Sequence, residues 1–379
     1  MTRREFTQTL LAAGGLSLLQ PLAHAARPTG FSFVLLGDLH FDRLAHHELD
    51  WLQRDKPDDL RQVRDYSRIA AEFMPRLFAT VRDHVVELNR SGNTRVTFAV
   101  QVGDLVEGLC GSEALAFRQN NEALEFVRQA NVGAPFLFTK GNHDVTGPGA
   151  PEAFKQVFHP FLAAQAAQCG GSPLSGARYA VEQQDALFCF FDAYDNESLG
   201  WLEATLAKRT ARHCFVVLHP PVVPYGARST WHIFSGQRQR PQRERLLELL
   251  GKNNAFVLSG HIHKYNLLVR ATAGRGRFLQ LGVSSVVPAP VVTPKDVLLG
   301  LKQYNADQVR LEPNFSPKTE TERRAVYETE ALAVKQFEYA DLPGYSVVTV
   351  NGPRVTAKIY SGSSRDLWRN LNLTKLLES

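Results

Sequence analysis

The chain has 379 residues, of which 44% are hydrophobic and 21% charged, and its formal net charge is +5. This length and apolar content can bury a large core, so we expect one large α/β domain with additions, or at most two domains. The charged residues are spread evenly and no internal repeat or low-complexity tract is visible, which argues against a solenoid or a disordered chain. The basic residues are scattered rather than gathered in one block, so we expect no specific nucleic-acid partner.

Residues 1–25 have the composition of an export signal rather than of a folded element. They contain the pair Arg3 and Arg4, then the apolar run LLAAGGLSLL, and they end in Ala23-His24-Ala25, which has the small-x-small form of a cleavage site. The apolar run is too short to span a bilayer, and the absence of a nearby cysteine argues against a lipid anchor. We therefore expect a twin-arginine signal, a periplasmic or secreted protein, and no membrane association after cleavage. The alternative is a basic amphipathic start on a cytosolic protein.

The first predicted strand, Phe31–Leu36, is a short apolar run of the kind that forms a central strand. It is followed by Asp38 and His40, whose side chains point the same way because residues two apart on an extended segment share a face. Residues 41–67 are polar and predict a long loop or short-helix excursion over the rim of a site. Apolar residues at helical spacing then predict a helix over Ile69–Leu88.

Two further strands end in polar side chains of the same kind. Arg95–Val102 predicts a buried strand that stops at Asp104, a carboxylate with two oxygens that can bridge two cations. A helix is predicted over Glu113–Ala130. The stretch Leu137–Asp144, LFTKGNHD, then runs from a strand into a turn that delivers the side chains of Asn142 and His143 to the strand's end.

The second half of the sequence also contains predicted strands that are followed by polar side chains. Tyr179–Glu182 and Leu187–Phe191 predict a hairpin that suits a second sheet. His213–Leu218 predicts a buried strand that leaves His219 on a stiff Pro-Pro turn. The last such strand, Ala255–Leu258, is followed by His261 and His263, which repeat the two-residue spacing of the first motif.

The loop 224–240 carries Arg228 and Trp231, which could hold the charge and the apolar portion of a phosphate ester. A solvated surface loop is the equal alternative.

Seven oxygen and nitrogen donors therefore lie at the ends of predicted strands: Asp38, His40, Asp104, Asn142, His219, His261 and His263. They include no thiolate, and none of the four cysteines forms a CxxC pair, which argues against a structural zinc site. Seven donors exceed the needs of one tetrahedral ion and fit two cations that share Asp104. Such a pair suits hydrolysis of phosphate esters by a hydroxide formed from metal-activated water.

The series D-x-H, G-D, G-N-H-D, H and G-H-x-H, in this order, resembles the calcineurin-like metallophosphoesterases over about residues 31–285. The resemblance implies a four-layer αββα sandwich, in which helices flank two mixed β-sheets. It implies two divalent or trivalent ions such as Mn, Fe or Zn. One ion would be held by Asp38, His40, His263 and the bridging Asp104, and the other by Asp104, Asn142, His219 and His261.

The resemblance also assigns roles beyond the metal ligands. His143 would face the substrate, where it stabilises phosphoryl charge or protonates the leaving oxygen, and Asp144 would orient it. Two departures from the family pattern stand out. The segment between His40 and Asp104 is long, which indicates an elaborated rim. Glu107 occupies the place of the tyrosine of purple acid phosphatases, which argues against a purple iron site.

After the motifs, residues 288–317 are polar and predict an irregular surface segment, and Glu320–Glu338 predicts a charged helix. A hairpin around Asn351-Gly352, over 345–360, is expected to complete the second sheet.

The sequence thus predicts a signal peptide at 1–25, a metallophosphoesterase domain at 26–290 and a C-terminal extension at 291–379 that packs on the same domain. We expect a dinuclear-metal phosphoesterase acting on small-molecule phosphate mono- or diesters. One alternative is a phosphomonoesterase or nucleotidase specifically, and the other is a non-catalytic binding protein on the same scaffold. The sequence does not decide the oligomeric state.

Overall fold

The structure is a computed structural model that describes residues 30–92, 94–171, 173–174, 176–311 and 318–379. The predicted signal peptide, residues 1–25, lies outside the described residues. Within the described ranges, every helix is too short or too polar to cross a bilayer.

The strands are short and mostly buried. They are β1 (Gly30–Leu36), β2 (Arg95–Gln101), β3 (Phe136–Phe138), β4 (Tyr179–Gln183), β5 (Ala186–Phe190), β6 (His213–Val217), β7 (Phe256–Ser259), β8 (Tyr265–Ala271), β9 (Arg277–Gly282), β10 (Lys295–Leu299), β11 (Val334–Asp341), β12 (Gly344–Asn351), β13 (Arg354–Ser361) and β14 (Asp366–Asn372).

The α-helices connect the strands and cover the sheets. They are α1 (Leu49–Asp55), α2 (Leu60–Glu72), α3 (Met74–Ser91), α4 (Glu113–Ala130), α5 (Ala150–Ala153), α6 (His159–Gln168), α7 (Ser198–Ala207), α8 (Arg240–Lys252), α9 (Glu320–Glu330) and α10 (Leu373–Glu378).

The strands form two mixed sheets, as predicted. The six-stranded sheet has the order β14-β13-β12-β1-β2-β3, with β1, β2 and β3 parallel. The eight-stranded sheet has the order β10-β11-β8-β9-β7-β6-β5-β4, with β5, β6, β7 and β9 parallel. Parallel strands present their carboxyl ends at the same edge, so the loops that follow them meet there.

The two sheets face each other across a shared core. The Phe33 ring of β1 lies 5.2 Å from that of Phe188 on β5 and 5.5 Å from that of Phe215 on β6. On the opposite face of the eight-stranded sheet, Cys189 and Val216 belong to a second cluster that includes residues of α7 and α8. Successive strand residues point to opposite faces, so each strand serves both clusters. The predicted fold class, two mixed sheets flanked by helices, is confirmed.

Two predicted helices have different bounds in the structure. The helix expected over Ile69–Leu88 is split at Phe73 into α2 and α3, because Pro75 in the first turn of α3 lacks an N–H and cannot continue a preceding helix. The helix expected over Glu320–Glu338 ends at Glu330. The residues after it form β11, which pairs with β8. Val334, Phe337 and Tyr339 of this strand are buried.

The C-terminal hairpin joins a different sheet from the one predicted. The hairpin of β12 and β13 forms, but β12 pairs with β1 in the six-stranded sheet rather than completing the second sheet. The second sheet is extended instead by β10 and β11, and β10 lies within the segment expected to be irregular. Residues after 290 therefore contribute strands to both sheets.

Candidate metal centre

The polar side chains predicted from sequence follow the carboxyl ends of five parallel strands. Asp38 and His40 follow β1, Asp104 follows β2, Asn142 and His143 follow β3, His219 follows β6, and His261 and His263 follow β7. The strands come from both sheets, so the site lies where the edges of the two sheets adjoin. The structure brings all of these residues together.

The backbone bends sharply where the site is assembled. His40, Asp104, His261 and His263 have φ angles of 48°, 55°, 72° and 58°, in the left-handed region that side-chain-bearing residues rarely adopt. Each such residue costs on the order of 1–3 kcal/mol and persists only where its surroundings fix it. One such restraint is the carbonyl of Asp104, which accepts hydrogen bonds from the N–H groups of Leu39 and His40, both at 3.0 Å.

Glycines allow the two central carboxylates to approach neighbouring turns closely. A side chain on Gly141 would place its Cβ 2.1 Å from Oδ1 of Asp104, and one on Gly260 would place it 2.6 Å from Oδ1 of Asp38. Real Cβ atoms essentially never come this close to another atom. The glycines of the G-N-H-D and G-H-x-H motifs are therefore required by packing against the carboxylates.

Asp104 lies between two sets of imidazoles. Its Oδ2 is 3.0 Å from Nε2 of His219 and 3.7 Å from Nε2 of His40. Its Oδ1 accepts the backbone N–H of His143 at 2.8 Å. One carboxylate oxygen can thus reach both sides of the centre.

On the first side, two imidazole nitrogens face each other at short range. Nε2 of His40 lies 2.9 Å from Nε2 of His263, and Oδ2 of Asp38 lies 3.6 Å from the same His263 atom. His40, Asp104 and His263 form a group whose ligand atoms lie within 4.8 Å of one another.

The second side repeats this arrangement. Nε2 of His219 lies 3.0 Å from Oδ1 of Asn142 and 3.2 Å from Nδ1 of His261. Asp104, His219 and His261 form the corresponding group of donors. Asp104 belongs to both groups, so its carboxylate is shared between them.

The outward-facing ring nitrogens are held by hydrogen bonds that fix the tautomers. Nδ1 of His40 lies 2.6 Å from Oε2 of Glu107, and Nδ1 of His219 lies 2.9 Å from the carbonyl oxygen of Val102. An acceptor at Nδ1 keeps the proton there in the neutral ring, so the lone pair of Nε2 points into the site. Lone pairs that converge at 2.9–3.2 Å repel unless a cation or proton lies among them. The donor set therefore fits metal ions.

Without metal, this clustering of charge shifts several pKa values. Burial disfavours the imidazolium of His40, but Glu107, Asp104 and Asp38 outweigh it and raise its pKa to about 9. Burial likewise opposes the charged form of His219, yet Asp104 and Asp38 raise the pKa of this residue to about 9. The surrounding carboxylates thus favour positive charge at these two rings.

Burial also raises the pKa of Asp38, to about 6, whereas the pKa values of His261, His263 and Asp104 are lowered. Burial, assisted by the charge on His219, lowers the pKa of His261 well below its usual range, and burial with the charge on His40 does the same for His263. Burial favours the protonated form of Asp104, but His219, His143 and His40 hold its pKa well below the usual range. Two neutral imidazoles and an ionised carboxylate are the protonation states that a metal ion requires.

His143 lies beside the donors and has an exposed fraction of 18% for its side chain. Its Nδ1 is 2.7 Å from the carbonyl oxygen of Glu107, which leaves Nε2 for a substrate. The expectation that Asp144 orients His143 is wrong. The Asp144 carboxylate instead accepts the backbone N–H groups of residues 104, 105, 106 and 141 at 2.8–3.1 Å, so it ties the G-D loop to the G-N-H-D turn.

The loop 224–240 reaches the site through its aromatic residue. The Trp231 ring lies 5.5 Å from that of His261, and Cζ of Arg228 lies 4.8 Å from the centre of the Trp231 ring. Trp231 and Arg228 thus lie at the rim of the centre.

Sequence reasoning missed two residues of the long segment between β1 and β2. Tyr66 and Gln62 lie on α2 and contact the centre through His263 and Glu107. The segment was expected to cross the rim, but nothing in its composition distinguishes these two residues from its other polar side chains.

The chain resembles known proteins in sequence and in fold. Residues 31–265, a range that includes every motif residue, match the calcineurin-like phosphoesterase family. A purple acid phosphatase from yellow lupin (Lupinus luteus) has a similar fold, with a TM-score of 0.52, 13% identity, and coverage of 90% of this chain and 53% of that protein. A dimetal phosphatase from Danio rerio has a TM-score of 0.50, 14% identity, and coverage of 90% and 98%. No curated protein sequence matches the chain.

The two structural similarities concern the fold, while the sequence match extends over more than half of the 379 residues. The chain therefore belongs to the calcineurin-like phosphoesterase family and is a metal-dependent phosphoric ester hydrolase.

Proposed function

We propose that this protein hydrolyses small-molecule phosphate mono- or diesters at a dinuclear metal centre. Asp38, His40, His263 and Asp104 hold one cation, and Asp104, Asn142, His219 and His261 hold the other. The observation that carries the proposal is the position of Asp104, whose carboxylate faces one group of converging donors on each side. A single ion would use only half of this donor set.

Two bound cations would supply a nucleophilic water with a lowered pKa and would draw charge from the phosphoryl oxygens. The protein's own residues hold and orient the reacting groups. His143 presents Nε2 to the substrate while its Nδ1 is bound to the carbonyl of Glu107, so it donates to a phosphoryl oxygen or to the leaving oxygen. Trp231 and Arg228 lie beside the centre, where they would contact the organic part of the ester.

The first prediction tests the chemistry. Purified protein loaded with Mn²⁺ should release p-nitrophenol from p-nitrophenyl phosphate or from the bis ester. Asp104→Asn should lower kcat/KM by about 10²- to 10³-fold or more, because the loss of the shared charge removes several kcal/mol of stabilisation. The matched control is Asp83→Asn, which changes a carboxylate that is 62% exposed on α3. Equal turnover in the Asp104 and Asp83 variants would contradict the mechanism.

The second prediction separates His143 from the metal ligands. His143→Ala should keep two metal ions per chain, measured by elemental analysis, and should slow hydrolysis by about 10²- to 10⁴-fold, because only a proton or hydrogen-bond donor is lost. Loss of a metal ion from this variant would show that His143 is a ligand.

The third prediction follows from the raised pKa values of His40 and His219, both about 9. Each ring is an imidazolium at pH 7 in the metal-free protein and must lose its second proton, the one on Nε2, to bind a cation, so metal loading should release about two protons per chain. The apparent affinity should therefore rise with pH up to about 9. Calorimetric titrations with MnCl₂ at pH 7, in buffers of different ionisation enthalpy, measure this number. Titrations that show no proton release would contradict the account of the metal-free site.

We also propose that residues 1–25 direct export through the twin-arginine route to the periplasm or medium. The support is the sequence of the segment, with paired arginines before a modest apolar run. Replacement of Arg3 and Arg4 by lysine should leave the protein in the cytoplasm, as measured by cell fractionation. Export of the variant at the normal level would be evidence against this route.

A further inference from the structure

Helix α2 belongs to the long segment between β1 and β2 and places one of its faces against the metal centre. Gln62 and Tyr66 are four residues apart, so their side chains lie one turn apart on the same side of the helix. Tyr66 is hydrogen-bonded to the donor His263, and Gln62 is hydrogen-bonded to Glu107, which contacts the donor His40.

Tyr66 contacts two of the donor histidines. Its hydroxyl oxygen lies 3.0 Å from Nδ1 of His263. Its ring stacks on that of His40, with centroids 4.4 Å apart and planes inclined by 28°. The phenol thus fixes the rotation of one imidazole and covers the face of the other.

The direction of the hydrogen bond follows from the role of His263. Nε2 of His263 faces Nε2 of His40 at 2.9 Å, so it must be free of a proton to bind a cation. The proton of the neutral ring then lies on Nδ1 and is donated to the hydroxyl oxygen of Tyr66. A hydrogen-bonded outer nitrogen holds the ring in the tautomer and orientation that bind metal.

Gln62 supports the other histidine through one intermediate residue. Its Nε2 donates to Oε1 of Glu107 at 2.9 Å, while Oε2 of Glu107 lies 2.6 Å from Nδ1 of His40. Both oxygens of this buried carboxylate are therefore engaged, one by the helix and one by the donor histidine.

The second half of the centre is held by different parts of the protein. Nδ1 of His219 is held by the carbonyl oxygen of Val102, and its Nε2 faces Asp104, Asn142 and His261. The backbone N–H of His261 donates to Asp38. The contacts of α2 are thus concentrated on the side that contains His40 and His263.

We infer that α2 is a positioning element for one of the two metal sites, and that Tyr66 is a positioning residue which sets the affinity of the site formed by Asp38, His40, His263 and Asp104. The inference rests on the proposed dinuclear centre and adds to it an inequality between the two sites. Removal of a partner that orients a metal-bound histidine typically costs 10- to 100-fold in metal affinity.

Tyr66→Phe tests this inference, because it keeps the ring that stacks on His40 and removes only the hydroxyl group. In calorimetric titrations with MnCl₂, we expect one of two binding events to weaken by about 10- to 100-fold while the other is unchanged. Gln62→Leu should weaken the same event, because it frees Glu107 from the helix.

Tyr345→Phe is the matched control. The Tyr345 hydroxyl lies 2.9 Å from Nδ1 of His84, so the substitution removes a tyrosine–histidine hydrogen bond of the same kind between β12 and α3. It should leave both Mn²⁺ affinities unchanged, and the thermal midpoint of each metal-free variant reports any general loss of stability.

Two results would overturn the inference. One is a Tyr66→Phe protein that binds two Mn²⁺ ions with the affinities of the wild type. The other is a variant in which both affinities fall equally, which indicates a general structural role. Failure of the wild-type protein to bind two ions would contradict the proposed function itself, so the two failures are distinguishable.

Discussion

The position of the Asp104 carboxylate is the constraint on which the rest of the centre depends. It is buried and ionised, with its pKa held far below the usual range by three surrounding histidines. A buried charge is costly unless other charges and hydrogen bonds compensate it. Here the compensation comes from histidines on both sides of the carboxylate. His40 follows β1 and His219 follows β6, and both approach Oδ2 of Asp104.

The surrounding backbone is built to maintain this position. Asp104 itself has a left-handed φ angle, and Gly141 has no side chain that would collide with its carboxylate. The four N–H groups bound by Asp144 hold the two loops together, although burial and the charge of Asp104 raise the pKa of Asp144 to about 6. Hydrogen bonds within the site therefore help to hold the turns in their strained conformations.

Much of this arrangement could be predicted from the sequence because the signals are local. Short apolar strands and the polar residues directly after them specify where each donor lies, and the carboxyl ends of parallel strands must meet. The donors from Asp38 to His263 were all placed at strand ends in this way. The structure brings these donors together.

The remaining features depend on contacts between distant segments. The alternation in 345–360 predicts a hairpin, but either sheet offers a suitable edge, and only pairing with β1 decides which one it joins. The role of Asp144 depends on a loop 38 to 40 residues away. The sequence of β11 did not predict a strand because its charged residues Lys335 and Glu338 also suit a helix.

Residues of the long segment between β1 and β2 contact the centre. Tyr66 of α2 lies close to the centre, and Glu107, which follows β2, contacts His40. The Tyr66 hydroxyl contacts an imidazole nitrogen on the side away from the other donors. A tyrosine and a carboxylate thus support the histidines from outside, and the rim takes part in holding the centre as well as covering it.

The position of the metal ions tests the central claim most directly. Crystals of the purified protein grown with Mn²⁺ and measured near the manganese absorption edge would locate each ion by its anomalous signal. The account predicts two peaks about 3.5–4 Å apart, with Asp104 in contact with both. A single peak, or peaks that do not touch Asp104, would contradict it.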